Sequence, residues 1–274
     1  MPVIQHADYL GSSYAKCAVG CDPEVFLIDP NTKRPVSSVG IVPGTKSQPF
    51  QLESLPEGCT VQQDNVAIEF GIPPCTDSEA WRVYLNSVKS AAKKQIVRGL
   101  SFSRDSAIIF PQDQLQTAEA NTFGCEADYN AWTKEVNPKP EASDPRLRTA
   151  GGHVHIGTVK KVDPFVLARW CDVLLGLPSV LMDKGELRKE MYGKAGAMRV
   201  KPYGIEYRVL SNFWFLDDKY YDWVFNSARV AHAVTIFGKE KIDPVDARDI
   251  QKAIDTNDKA LAKELCDYFG AIVL

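Results

Sequence analysis

The stretch Gly151-Gly152-His153-Val154-His155-Ile156-Gly157 alternates polar and apolar side chains with a period of two. In a strand, residues two apart share a face, so both imidazoles point one way while Val154 and Ile156 point into a core. Residues 204–210 (GIEYRVL) repeat the pattern, with Glu206 and Arg208 on one face and Ile205, Tyr207 and Val209 on the other. Around these strands, β-prone and helical segments follow one another without regular βαβ alternation. That order predicts an α+β fold built on an antiparallel sheet.

Residues 17–29 run apolar and β-prone up to the turn signal Asp29-Pro30-Asn31, and 36–42 read as the returning strand, closed by Pro43-Gly44. A strand is predicted over 60–70, a helix over 78–99 capped by Asp77 or Ser78, and a strand over 100–110. Helices follow over 164–175 and 219–237, with two short ones within 244–269. Residues 112–147 hold Pro138, Pro140 and Pro145 and read as a long surface loop. Loops of that length inside compact domains serve as lids or binding loops.

Composition narrows the function classes. At 274 residues, 45% hydrophobic and 24% charged, the chain is ordinary globular material. A formal charge of −3 gives no reason to expect nucleic-acid binding. The seven cysteines are odd in number and form no CxxC pair, so reduced thiols in a cytoplasmic protein are expected. The first residues lack a signal-peptide pattern, and no run approaches the ~20 apolar residues of a membrane span. HExxH, GxSxG and the Walker spacing are missing; Pro43-Gly44-Thr45-Lys46 is not a P-loop.

Several constellations carry chemistry. The two histidines can ligate a cation or hold a phosphate; the alternative is a polar pair on a solvated face. Glu206 beside Arg208 suits a metal–nucleotide site, one binding the cation and the other an anionic phosphate, against a surface ion pair as the bland reading. Asp22 and Glu24 share a face near a strand's start and are hard oxygen ligands suited to Mg²⁺ or Mn²⁺. Asn65 and Glu69 are read onto one face of the 60–70 strand, and Glu69, flanked by Ile68 and Phe70, is an internal ion-pair partner or a ligand. The run Arg188, Lys189, Tyr192, Gly193, Lys194, Gly196, Arg199, Lys201 reads as a flexible cationic loop able to close on phosphates. The set suits one or two divalent cations gripping a polyphosphate.

Taken in order, GCDPEVFL, PGTK, QQDNVAIEF, a segment with Gly124, Cys125, Asp128 and Tyr129, RTAGGHVHIG and RKEMYGKAGAMRVKPYGIEYRVLSNFW resemble the phage-type COOH-NH2 ligases, type 2. That family lies in the glutamine synthetase-like superfamily, with glutamate-cysteine ligase a more distant relative. The resemblance implies one glutamine synthetase-like domain over 1–274: a curved antiparallel sheet, or partial barrel, with helices on its outer face, a lid around 112–147 and a helical part over 219–274. It implies ATP-dependent ligation of a carboxylate to an amine through an acyl phosphate. Asp22, Glu24, Glu69, His153 and Glu206 would hold Mg²⁺ or Mn²⁺, with His153 or His155 as the direct imidazole ligand. Arg188, Arg199 and Arg208 would stabilise the transferring phosphoryl group, and Lys46, His155, Tyr192, Lys201 and Arg208 would contact ATP. The partners implied are small-molecule or peptide carboxylates and amines, with no membrane and no direct nucleic-acid contact. A metal–ATP kinase, a non-catalytic nucleotide-binding scaffold and a two-histidine metal hydrolase are the competing readings.

Overall fold

The computed structural model describes residues 4–121, 127–158, 162–238 and 241–274. Eight strands form one sheet: β1 (Ala18–Val25), β2 (Phe50–Gln51), β3 (Thr60–Asp64), β4 (Ala67–Gly71), β5 (Tyr129–Asn130), β6 (Gly152–Gly157), β7 (Ala197–Lys201) and β8 (Gly204–Tyr207). Their order is β2-β3-β4-β1-β6-β8-β7-β5, and every pair is antiparallel. The expected α+β class with a large antiparallel sheet is what the chain adopts. Among the described residues the sheet ends on β2 and β5 and is not a closed barrel.

Period-two patterning sorts the sheet into two faces. Val19, Cys21, Ile68, Phe70, Val154, Ile156, Ile205, Tyr207 and Met198 are all buried and make the apolar face. Helices cover it: α1 (Ser78–Gln95), α2 (Pro164–Met182) and α3 (Tyr221–Phe237), with α3 against β1 and β6 and α2 against β7 and β8. Two further helices, α4 (Pro244–Asp255) and α5 (Lys259–Phe269), pack on the end of α2. The Asp77 side chain caps α1 by accepting from the Ala80 N–H, and the helix ends at Gln95. Helix α2 is long and apolar enough to cross a membrane, but 78% of its most apolar window is buried inside the protein. Six cysteines among the described residues are free and buried; Cys125, with Gly124, lies outside them.

Several expected elements are divided differently. Residues 60–70 are not one strand but the β3–β4 hairpin, turned at Asn65 with φ 53°. Asn65 therefore sits in the turn, not on a face with Glu69. Of the expected 36–42 strand only Val36 pairs, as the end of the short strand Pro35–Val36, because Gly40 takes φ 75° and folds the rest into turns. The 100–110 strand is broken into Ser101–Phe102 and Ala107–Ile109 by a turn in which Ser103 Oγ donates to Asp105 Oδ2. Within 112–147 the described residues form short elements, Gln112–Gln114, Ala118–Asn121 and the edge strand β5. The cationic segment is not a free loop: it opens with a 3-10 turn, Leu187–Glu190, and ends as β7.

The histidine strand is anchored from behind. Trp214 Nε1 donates to Gly152 O at 3.0 Å, and Trp214 stacks on Trp81 of α1 with centroids 5.8 Å apart. Gly152 has no room for a side chain, since a Cβ there would stand 2.3 Å from Ser211 O and 2.5 Å from Trp214 Nε1. Backbone oxygen does not yield as a flexible side chain does. Gly152→Ala is expected to destabilise the protein by about 1–3 kcal/mol, read as a lower urea midpoint at unchanged m-value. An unchanged midpoint would contradict this packing.

Candidate metal centre

The polar face collects the candidate side chains by register alone. Asp22 stands opposite His153, Glu24 opposite Glu69, and Glu206 opposite both His155 and Arg199. Like charges directly across an antiparallel pair repel, so Glu24 facing Glu69 needs a countercharge. The hairpin at Asn65 adds Asp64: Glu24, Asp64 and Glu69 each offer an oxygen, all within 4.8 Å of one another. Asp22, His155 and Glu206 form a second such group.

Electrostatics differ between the two groups. Burial, then the Asp64 carboxylate, pushes Glu24 up to about 7, although the Gly151 N–H donates to its Oε2 at 2.8 Å. Burial and the charges of Asp22, Asp64 and Glu24 raise Glu69 well above the usual carboxylate range. Gln62 supplies one hydrogen bond, Nε2 to Glu69 Oε1 at 2.6 Å. Hence three carboxyls share too little positive charge.

Around Glu206 the balance reverses. It receives Arg199 Nη1 at 3.1 Å and Lys201 Nζ at 2.9 Å, and Arg208 Nη1 donates to the same Oε1 as Arg199. Burial and Asp22 oppose ionisation, yet Arg208, His153 and Arg199 hold the carboxyl down to about 2. Asp22, despite burial, is held well below its ordinary range by His155 and His153. Burial and then Arg208 lower His153, whose Nδ1 lies 3.3 Å from Arg208 Nη1. His155 is raised, because Asp22 outweighs its burial.

Asp22 Oδ1 lies 3.2 Å from both His155 Nε2 and His153 Nδ1, and neither Asp22 Oδ1 nor His155 Nε2 makes a well-aligned hydrogen bond. On the other side of the ring, His155 Nδ1 meets the Tyr203 hydroxyl at 2.6 Å, which fixes the imidazole. Carboxylate oxygens with one imidazole nitrogen suit Mg²⁺ or Mn²⁺. Donor chemistry and orphaned atoms thus fit a divalent cation. His155, rather than His153, stands in a ligand-competent group.

Two hollows open from this row. One is lined by Glu24, Asp64, His153, Arg188, Tyr192 and Arg208. The other, of about 530 Å³, is lined by Lys46, Asp22, Glu69, His155 and Tyr203 over a floor of glycines. Arg188 is 3% exposed, with Nη1 donating to Val209 O at 2.9 Å and Nη2 to Arg208 O at 3.3 Å. Its guanidinium is spent on backbone, apart from an unpartnered Nε.

The structure thus brings together Asp22, Glu24, Glu69, His153, His155, Arg199, Lys201, Glu206 and Arg208, and sets Lys46 in one hollow and Arg188 and Tyr192 in the other. Asp64, Tyr203 and Asp128 join this group without having been expected there. Asp128 holds Arg208 Nε at 3.3 Å. Asp64 is found only by breaking the 60–70 run at Asp-Asn, a turn dipeptide. Tyr203 follows Pro202 in a hairpin whose tip points back at His155.

No curated protein matches the chain. Residues 143–268, which include the H-x-H strand, the cationic segment and the E-x-R strand, match the family model described as Phage phiEco32-like COOH.NH2 ligase-type 2. Over that stretch the chain is similar to a family whose name indicates a ligase of carboxyl and amino groups.

Proposed function

We propose that this protein joins a carboxylate to an amine at the expense of ATP, on a glutamine synthetase-like sheet carrying divalent cations. The observation that carries the reading is the paired arrangement of an electron-rich group, Glu24, Asp64 and Glu69, beside Asp22, His155 and Glu206, with Arg199 and Arg208 at hand. Bound Mg²⁺ or Mn²⁺ would neutralise the ATP phosphates as the carboxylate oxygen approaches.

The reaction balances in two steps. The carboxylate oxygen takes the γ-phosphoryl group and ADP leaves; the amine nitrogen then attacks the acyl carbon, phosphate leaves, and the amine proton is lost. Arg199 and Arg208, both held at the Glu206 carboxylate, would meet charge on the transferring phosphoryl oxygens. The glycine-floored hollow beneath Tyr203 would take the nucleotide, with Lys46 and His155 of its lining toward the phosphates. The hollow lined by Arg188, Tyr192 and Arg208 takes the acid. A cytoplasmic setting fits the free buried thiols.

Incubation with Mg-ATP and pooled amino acids, polyamines and peptides, followed by mass spectrometry, is expected to yield ADP and an amide. ADP formed without any amine, with a stable phosphorylated acid as product, would replace the ligase reading with a kinase.

Tyr203 lines the nucleotide hollow and holds His155 through its hydroxyl. Tyr203→Phe is expected to weaken divalent-cation affinity and turnover about 10–100-fold, at unchanged thermal stability because Tyr203 is 44% exposed. Cation titration against wild type checks it; equal affinity would remove Tyr203 from the site.

A further inference from the structure

Away from the metal-binding row, a hollow of about 390 Å³ lies between residues 104–107, 182–187 and 212–220. Two side chains lining it are buried with unpartnered oxygens: Ser106 Oγ and Asn212 Oδ1, in residues 3% and 0% exposed. Leaving such groups unmet costs about 1–3 kcal/mol each, so buried orphans call for a ligand or water. The amide orientation is set by its other end, since Asn212 Nδ2 donates to Glu24 O at 2.9 Å. The orphan atom is therefore an acceptor and asks for a donor.

The charges of the hollow are asymmetric in their partners. Asp183 accepts from Gly185 N at 2.8 Å and from Ser211 Oγ at 2.7 Å, Asp105 accepts from Ser103 Oγ at 2.7 Å, and Asp217 pairs with Lys219 at 3.8 Å. Arg104 and Lys184 are exposed and make no ion pair among the described residues. The unmet demand is thus one anion for the two cations and one donor for Asn212 and Ser106. Phe213 and Leu216 supply an apolar wall. Phosphate answers only half of this and would meet three carboxylates in the same space.

We propose that this hollow is a second ligand site that takes a free apolar α-amino acid. Its carboxylate lies on Arg104 and Lys184, its ammonium on Asn212 Oδ1 and Ser106 Oγ, and its side chain against Phe213 and Leu216. The site is separate from the metal centre, so the test uses wild-type protein in EDTA without nucleotide, and its outcome does not depend on the ligase reading.

Calorimetric titration with L-leucine and L-phenylalanine is expected to show saturable one-to-one binding. N-acetyl-L-leucine and L-leucinamide, each lacking one charged pole, should bind at least tenfold more weakly. The double variant Arg104→Ala/Lys184→Ala should lose at least tenfold in affinity at unchanged melting temperature, both residues being exposed. Ser106→Ala is the second variant, expected to weaken L-leucine and L-leucinamide, which keep the ammonium, while changing N-acetyl-L-leucine by less than twofold. No saturable heat with either amino acid, equal binding by the blocked derivatives, tighter binding of inorganic phosphate, or indifference to the double variant would each overturn the proposal.

Discussion

Glu206→Gln is expected to lower ligase turnover at least about 100-fold, the scale on which removing one charge-stabilising group from a preorganised site acts. The substitution keeps shape and removes one negative charge where Arg199, Lys201 and Arg208 converge. Those cations would stay buried or half-buried without their common partner, and breaking such a set costs about 3–5 kcal/mol. The pH profile identifies the cause. Glu206 is held near 2 against an ordinary 4.5, so its stabilisation is present above pH 4.5 and is lost as pH falls towards 2. A depression of that size corresponds to about 3 kcal/mol. Wild-type melting temperature should therefore drop across that acid window, and the variant should start lower and lack the drop. Full turnover in a folded Glu206→Gln protein would remove Glu206 from the mechanism.

Glu24→Gln is expected to do something opposite in sign: stabilise the cation-free protein while abolishing activity. Glu24 is pushed up to about 7 by burial and by Asp64. A carboxyl with a raised folded pKa contributes stability below its unfolded value near 4.5 and loses it as pH rises through about 7. At pH 8 the cation-free wild type thus carries a penalty on the order of 1–3 kcal/mol, which glutamine relieves while still accepting the Gly151 N–H. Millimolar Mg²⁺ or Mn²⁺ should restore wild-type stability at pH 8 and leave the variant nearly unmoved. Thermal melts at pH 5 and pH 8, with and without cation, read all four states. A variant less stable than wild type at pH 8 in EDTA would mean that Glu24 is paired internally and holds no ion.

Much of this site was legible as strand faces. His153 with His155, Glu206 with Arg208, and Asp22 with Glu24 are two residues apart, and period-two geometry alone puts each pair on one side. Which strands lie side by side is a long-range property: β1 pairs with β6, more than a hundred residues away, and nothing local encodes that register. Asp64 was lost for a sharper reason. In an unbroken strand it falls on the face opposite Glu69, and only the left-handed turn at Asn65 reverses the parity and puts both on the polar face. The cationic run shows the same limit. Its glycines suggested a loose loop, but Arg199 is ordered by β7 pairing to β8, where the Glu206 carboxylate holds it.

Burial, too, is invisible in composition. Arg188 reads as one more basic residue in a basic run, yet it is buried beneath Arg208 with its guanidinium on backbone carbonyls. Conversely, the Pro164–Met182 segment, read as ending near residue 175, continues because a π-turn at Asp172–Gly176 lets the helix pass the Tyr207 hydroxyl. Tyr207 donates to Asp172 Oδ1 at 2.8 Å, securing β8 from behind, between Glu206 and Arg208.

The most direct measurement is nucleotide turnover resolved by substrate. ADP release from Mg-ATP is followed with an acid alone, an amine alone, and both together, and repeated in EDTA. Ligation requires ADP, phosphate and amide in equal amounts only when ATP, divalent cation, acid and amine are all present. Equal ADP release with the amine omitted and no amide formed, or turnover that survives EDTA, would contradict it.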